Sequence, residues 1–344
     1  MRTRLTELLG IDCPLILPGM SWIATPELVA AVSNAGGLGI LALGPLSAEQ
    51  TRASIQRVRE LTDRPFGVNC ALLMPGAAEN ARVALALQVP VINFSLGKGD
   101  WLVREAHAYG GRVIATVTTL DHARAAVAQG VDALMATGHE AAAHGGAATS
   151  LTLIPALRDA VDLPLIGAGG FADGRGLMAA LALGADGVAM GSRFATCAES
   201  PLHAQTKQAV VDRTVHDTVY SPHFDGLPAR YMLTPTATRL TQKPMSLPVA
   251  GFQATRAAIQ LGIPLWQVAA GLVVRPRDIR LLACFGAATP RLKAATEQGD
   301  LQYGMQFIGQ SQGLIHDVPR VAELVQRVLA EARHIQQQWP APLP

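Results

Sequence analysis

Short apolar runs alternate with segments of helical periodicity between residues 15 and 190. The runs fall at 15–20, 38–43, 66–72, 90–96, 112–117, 133–136, 163–168 and 187–190. Each is short and almost unbroken in Val, Ile, Leu and Ala, so each reads as a strand covered on both faces. Between them, positions 26–35, 48–61, 79–88, 100–109, 119–129, 151–160 and 174–183 carry helical periodicity. Gly36-Gly37, Gly110-Gly111, Gly130 and Gly184 mark helix ends, and Ser47 and Thr119 or Asp121 mark helix starts. Eight strand–helix alternations predict βαβ units and a parallel sheet. An open dinucleotide-binding sheet would prefer fewer units and a G-x-G-x-x-G after the first strand, where this chain has Pro18-Gly19-Met20. The pattern therefore favours an α/β fold of the closed (β/α)8 TIM barrel type.

After Phe194 the alternation stops. Helical pieces are predicted at 204–213, 251–260, 265–270 and 290–298, with no strand alternation. The expected organisation is a barrel built from residues 1–200 and 301–344, with a mostly helical lid at 201–300. The amphipathic stretch 318–339 is expected to return to the barrel as its eighth outer helix, and the Pro-rich tail after it to fray.

Composition narrows the function classes. With 344 residues and 49% hydrophobic content the chain can bury a large core. A formal net charge of +2 gives no footprint for nucleic acid or an anionic membrane. No apolar run reaches the length of about 18 residues that a membrane span needs. The start, Met1-Arg-Thr-Arg-Leu-Thr-Glu, has no apolar core of a secretory signal. Cys13, Cys70, Cys197 and Cys284 are far apart and form no C-x-x-C, so they read as reduced thiols of a cytoplasmic protein with no metal site. Cys70 follows Asn69 and is either a small buried hydrophobe or a neighbour of the ligand.

In such a barrel the chemistry sits where strands end. Those ends hold Gly19 and Met20, Asn69, Thr118, the stretch Thr137 to His144, Gly169-Gly170 and Gly191-Ser192-Arg193. The pairs after the seventh and eighth strands read as two halves of a phosphate cradle, because glycines expose backbone N–H groups. Two tight turns without a ligand would use the same letters. The loop Gly138-His139-Glu140-Ala-Ala-Ala-His144-Gly-Gly brings an imidazole, the group whose ordinary pKa suits proton transfer near neutral pH. A solvated surface histidine is the alternative. There is no H-E-x-x-H, no paired Asp box and no G-x-S-x-G. A phosphate-anchored cofactor and one loop histidine remain, a pattern that suits a flavin.

These motifs resemble the FMN-dependent nitronate monooxygenase family, which includes flavin-type enoyl-acyl-carrier-protein reductases and NADH:quinone reductases. The stretches that carry the resemblance are Arg2-Thr-Arg-Leu-Thr-Glu-Leu-Leu-Gly, Pro18-Gly-Met, Ala35-Gly-Gly-Leu-Gly, Leu61-Thr-Asp-Arg-Pro-Phe-Gly-Val-Asn and Gly138-His-Glu-Ala-Ala-Ala-His-Gly-Gly. Further on they are Gly167-Ala-Gly-Gly-Phe-Ala-Asp-Gly-Arg-Gly, Leu183-Gly-Ala-Asp-Gly, Met190-Gly-Ser-Arg-Phe and Gly309-Gln-Ser-Gln-Gly-Leu. The resemblance implies FMN at the C-terminal face of the barrel under a helical lobe. It implies that Gly19, Met20, Asn69, Thr118 and Gly138 line the cofactor, that Gly169, Gly170, Gly191 and Ser192 hold its phosphate, and that Gln310 lies near the ring. It makes His144 the base that removes an acidic α-proton. Three departures concern the substrate: Leu17-Pro18 replaces the usual Gln-Gly, Ala142-Ala143 replaces Gly-Gly, and His139 stands where a small residue is usual.

Three readings follow from the resemblance. The first is oxidation of alkyl nitronates or nitroalkanes by O2 to a carbonyl compound and nitrite. The second is an NAD(P)H-dependent reductase of a quinone or enoyl thioester, since relatives bind nicotinamide without a second glycine motif. The third is a flavin-binding barrel without catalysis. His139, and His223 and Arg230 in the expected lid, are candidate substrate contacts. The expected partners are a small-molecule substrate and O2, and a homodimer is the candidate assembly.

Overall fold

The computed structural model describes residues 1–142, 144–243 and 279–338, together with 246, 248, 249, 251, 252, 255 and 256. Its first half is a closed barrel of eight parallel strands. In chain order these are β1 (Leu15–Leu17), β2 (Leu38–Ala42), β3 (Phe66–Ala71), β4 (Val91–Ser95), β5 (Arg112–Val117), β6 (Ala133–Thr137), β7 (Leu165–Ala168) and β8 (Gly187–Ala189). Each strand pairs with its neighbours in sequence, and β8 closes the ring on β1 through Leu15↔Val188 and Ile16↔Ala189. The helices are α1 (Arg4–Leu9), α2 (Pro26–Asn34), α3 (Ala48–Leu61), α4 (Ala77–Ala86), α5 (Asp100–His107), α6 (Leu120–Ala128), α7 (Ser150–Ala160) and α8 (Gly174–Ala182).

Side chains alternate across each strand. Leu15, Leu17, Leu41, Val68, Cys70 and Ile92 point out and form one core with the helices. Ile16, Leu38, Ile40, Val91, Ile114, Ala133, Met135 and Ile166 fill the barrel. The lower end is stopped by α1 and the residues just after it, which send Leu5, Leu9 and Ile11 into that inner cluster. Periodicity did not announce this helix, because six residues give less than two turns. Its ends are fixed chemically instead. Thr3 and Thr6 exchange side-chain and backbone hydrogen bonds in a capping box, and Gly10 ends it in the left-handed region at φ 65°.

The upper end of the interior is polar on one side. Asn69, Asn93 and Thr116 each stand two residues beyond an inward position. Asn69 Nδ2 donates to Asn93 Oδ1 at 2.6 Å, and Asn93 Nδ2 donates to the Ile114 carbonyl at 3.0 Å and Thr116 Oγ1 at 3.1 Å. Asn93 is buried, so these bonds are what make its burial tolerable.

Beyond β8 come α9 (Gly191–Ala195), α10 (Ala204–Val211), β9 (Thr218–Ser221), β10 (Ala229–Met232), α11 (Pro235–Thr241) and α12 (Ile279–Glu297). Within the lobe expected to be mostly helical, the structure also shows two short strands. β9 and β10 form an antiparallel pair with Ala229↔Ser221 and Met232↔Thr218 opposed. A Pro222-His-Phe-Asp-Gly-Leu-Pro turn separates two strands of four residues, too short to show alternation. Phe224, Ala229, Tyr231, Ala237, Ala288, Leu292 and Met305 make a core of their own. α12 starts well before the expected position 290 and carries Pro290 inside it. The helices expected at 251–260 and 265–270 and the tail after 338 fall wholly or mainly outside the described residues.

The final helix, α13 (Val321–Gln338), packs on α8 and α2, in the place expected for an eighth outer helix. Among the described residues no helix is long and apolar enough to cross a membrane. Because α1 stops the barrel floor, Leu5→Ala should lower stability by about 2–5 kcal/mol, the usual cost of a buried Leu-to-Ala cavity. Urea unfolding measures this, and an unchanged midpoint would mean that α1 adds nothing to the core.

Candidate functional site

The loop that leaves β6 is fastened to the loop beyond α12. Glu140 lies at the N-terminus of α7, where its carboxylate accepts the Ser150 amide at 2.9 and 3.0 Å. A carboxylate there meets an unpaired N–H and the positive end of the helix dipole. The Glu140 carbonyl accepts the Gln310 amide at 2.9 Å, and the Gly309 amide donates to Ser192 Oγ at 2.9 Å. Gln310 opens a short 3₁₀ turn (Gln310–Leu314). A Cβ on Gly309 would come within 2.8 Å of the Glu140 carbonyl, so only glycine permits this approach.

His144 stands on the same loop with its side chain 24% exposed. Its Nε2 lies 2.8 Å from Asp225 Oδ2. Asp225 comes from the turn between β9 and β10 and is fully buried. Its other oxygen accepts from the Tyr231 hydroxyl at 3.1 Å and the Leu227 amide at 3.2 Å. Burial, and then the Asp225 charge beside it, push the Tyr231 phenol far above its ordinary value, so it stays a donor. Phe307 meets the His144 ring edge-on at 6.0 Å. Asp225 carried no signal in the sequence, where it reads as a turn residue before Gly226.

The structure places the three candidate substrate contacts differently. Arg230 is 5% exposed, and burial lowers its pKa. Its Nε and Nη2 donate to the His139 carbonyl at 3.3 and 3.1 Å, its Nη1 to Thr218 Oγ1 at 3.1 Å, and it covers the Tyr220 ring. In this position it braces the histidine loop. His223 Nδ1 lies 3.2 Å from the Thr241 carbonyl, so it packs against α11 within the lobe. His139 stacks on Tyr220 at 4.3 Å, with Nδ1 3.1 Å from the Gly146 carbonyl.

Around the mouth, the expected cofactor residues do come to the strand ends. Gly19 is pressed on Asn69 so closely that a Cβ would overlap that side chain. Asn69 Oδ1 has no partner among the described residues, and the residue is half-buried. Thr118 ends β5, with Oγ1 3.1 Å from His122 Nδ1. Gly138 follows β6, and its amide donates to the Ala168 carbonyl at 2.9 Å. Gly169 and Gly170 turn after β7 at φ 103° and 86°, a region that favours glycine. A Cβ on Gly170 would find nothing nearer than 3.7 Å, and one on Gly191 nothing nearer than the Met20 sulfur at 3.5 Å. Unlike Gly309, these two glycines would admit a Cβ without overlapping any described residue. The Gly170 amide donates to no protein group among the described residues. The Ser192 hydroxyl accepts from Gly309 and keeps its own proton for another acceptor. This is the donor set that a terminal phosphate requires. The Arg193 terminal nitrogens are engaged away from this set, and its buried Nε has no partner among the described residues. Arg193 is 3% exposed and donates to Asp317 Oδ1 at 3.0 Å and to the Asp317 carbonyl at 2.9 Å.

Cys70 faces the helix layer and is buried in that core. Burial pushes its thiol up to about 12, so it is a small hydrophobe. The other three cysteines are buried as well. Ala143 lies outside the described residues, so of the loop departure only Ala142 is seen, its carbonyl accepting the Arg230 amide at 3.3 Å.

Comparisons with known proteins agree with this geometry. The chain matches the family described as Nitronate monooxygenase over residues 2–86 and 80–331. It is 36% identical over 339 residues to the (3aS,4S,5R,7aS)-5-hydroxy-7a-methyl-1-oxo-octahydro-1H-indene-4-carboxyl-CoA dehydrogenase of Rhodococcus jostii, covering 96% of each chain. Among solved structures, FabK from Thermotoga maritima is 35% identical, with a TM-score of 0.81 and 98% of each chain covered. Nitroalkane oxidase from Streptomyces ansochromogenes is 26% identical, with a TM-score of 0.82, over 98% of this chain and all of that one. A match that spans barrel, histidine loop and final helix together settles the relationship: the chain belongs to the nitronate monooxygenase family of flavin-dependent oxidoreductases.

Proposed function

We propose that this protein is an FMN-dependent oxidoreductase acting at the carbon next to an acyl-thioester carbonyl, with His144 carrying the α-proton. The observation that carries this reading is the placement of His144. It stands partly exposed on the loop beyond β6, with one ring nitrogen facing a buried carboxylate and the other without a partner among the described residues. A hydrogen on such a carbon is acidic because the carbonyl takes up the charge left behind. An imidazole is the side chain whose basicity suits its removal near neutral pH. In the oxidising direction His144 accepts this proton, and in the reducing direction it returns it.

The residues at the strand ends fit FMN. The Gly169-Gly170 turn, the Gly191 amide and the Ser192 hydroxyl would hold the phosphate, with Met20, Asn69, Thr118 and Gly138 beside the remainder and Gln310 near the ring. Bound FMN would supply the two-electron exchange. The thioester class is supported by the 36% identity to a CoA-thioester dehydrogenase along nearly the whole chain and by the likeness to FabK. NAD(P)H would be the electron source in the reducing direction, and O2 or another acceptor would close the oxidising one.

A second reading is oxidation of alkyl nitronates or nitroalkanes. The family match and the likeness to a nitroalkane oxidase favour it. The nitro group acidifies its neighbouring C–H as a carbonyl does, so His144 would have the same task. Anaerobic visible spectra of the FMN-loaded protein with butyryl-CoA, NADPH and propyl-2-nitronate separate the two. Bleaching by butyryl-CoA, or by NADPH with reoxidation by crotonyl-CoA, supports the thioester reading. Bleaching by nitronate alone moves the protein to the second reading. A spectrum unmoved by all three would leave a flavin-binding barrel without catalysis.

Two variants test the site under either reading. His144→Ala should keep the flavin spectrum and slow bleaching by a protonated carbon acid by roughly 100-fold or more, the usual scale for a general base. Full speed would remove His144 from the mechanism. Gly170→Val should purify with little flavin, because its φ of 86° resists a branched side chain and the added methyls enter the cradle. Normal flavin content would place the phosphate elsewhere.

A further inference from the structure

The base of the proposed reaction is attached to a residue outside the barrel. We propose that Asp225 is the positioning residue of the site: it fixes the proton of His144 on Nε2, leaves the lone pair on Nδ1, and ties that state to the seating of the β9–β10 hairpin on the histidine loop. This rests on the reading of His144 as the base.

Asp225 is fully buried, and every group around its carboxylate that the structure records is a donor. The Leu227 amide can only donate, and the Tyr231 hydroxyl donates to the same oxygen, Oδ1. The remaining oxygen, Oδ2, faces His144 Nε2 at 2.8 Å. An unprotonated Nε2 would set lone pair against lone pair at that distance. Nε2–H donating to Oδ2 avoids this, and a neutral imidazole then has its lone pair on Nδ1. Phe307 on the edge of the ring, itself stacked on Tyr231 at 4.9 Å, limits its rotation.

The hairpin that brings Asp225 also grips the loop elsewhere. The Tyr220 hydroxyl donates to the Gly145 carbonyl at 2.9 Å, next to the histidine. Arg230 holds the His139 carbonyl through its side chain and the Ala142 carbonyl through its amide. The hairpin therefore meets the loop on both sides of His144, and the carboxylate arrives in the same movement. A hairpin displaced from the loop would leave the imidazole free to rotate and exchange its tautomer.

The test reads the tautomer directly in the FMN-loaded protein. Nitrogen-15-labelled histidine and long-range proton–nitrogen correlation spectra identify His144 by the resonance lost in His144→Ala. We expect Nε2–H in the wild type. In Asp225→Asn we expect a mixture or a switch to Nδ1–H at unchanged flavin content, with bleaching by butyryl-CoA or by neutral 2-nitropropane, or reoxidation of the NADPH-reduced flavin by crotonyl-CoA, slowed by about 100-fold or more. Loss of a merely structural contact would not change the tautomer of a protein that keeps its flavin. Wild-type Nδ1–H overturns the proposal without any variant, even where Asp225→Asn does not fold. So does an Asp225→Asn protein with the wild-type tautomer. Failure of the base reading looks different: His144→Ala then bleaches at full speed while the wild-type tautomer is still Nε2–H, and Asp225 has no base to position.

Discussion

Main chain packs directly on main chain where β6 and β7 end, and the site depends on that closeness. The Gly169 turn lies against Ala141, where a Cβ would reach the Ala141 amide at 3.0 Å, and Gly309 lies against the Glu140 carbonyl. With side chains kept out, the loop after β6, the turn after β7 and the loop before α13 form one layer. That layer is pinned by hydrogen bonds of Gln310 to Glu140, Gly309 to Ser192, and Ser150 to Glu140. The glycines of this mouth thus divide into two kinds. Some let protein meet protein, while at others, 170 and 191, an added Cβ would meet the described residues no nearer than 3.5 Å.

The two ends of the barrel differ for a physical reason. Below, α1 seals the interior with Leu5 and Leu9, which join Ile16, Leu38 and Ile40 in one apolar cluster. Above, Asn69, Asn93 and Thr116 must satisfy one another or a ligand. Barrel geometry assigns ligands to the C-terminal end, and this chain follows that rule in its chemistry as well as its topology. The lobe completes the arrangement from outside. Its aromatic cluster of Phe224, Tyr231 and Phe307 provides the dry surroundings in which the Asp225 carboxylate sits.

The barrel was legible because parallel strands buried on both faces write nearly unbroken apolar runs, as in Ala133–Thr137. The loop histidine and the two glycine turns were legible because they stand directly after such runs. What escaped was set by contacts distant in sequence or by very short elements. α1 has six residues, and β9 and β10 have four each. Pro290 read as a helix start, yet the helix around it begins eleven positions earlier, at Ile279. Asp225 lies 81 residues from His144, and only the fold brings them together. The partners of Arg230 and Arg193, the His139 carbonyl and Asp317, lie 91 and 124 residues away in the chain, so no local pattern could reveal them.

One feature at the far end of the chain governs the order in which the protein can be built. The α8 N-terminus receives the Glu331 carboxylate at the Gly174 amide, 2.7 Å away, and its apolar side packs on α13. Helix α13 lies far along the chain from α8 and α2, which leave the ribosome much earlier. A growing chain with all eight strands in hand still lacks the outer cover between the helices that follow β7 and β1. Until residue 331 emerges, that seam stays open to water, and synthesis of the entire lobe intervenes. The strand pairing that closes the barrel is thus complete by residue 189, whereas the outer cover between α8 and α2 waits for a segment that follows the whole lobe.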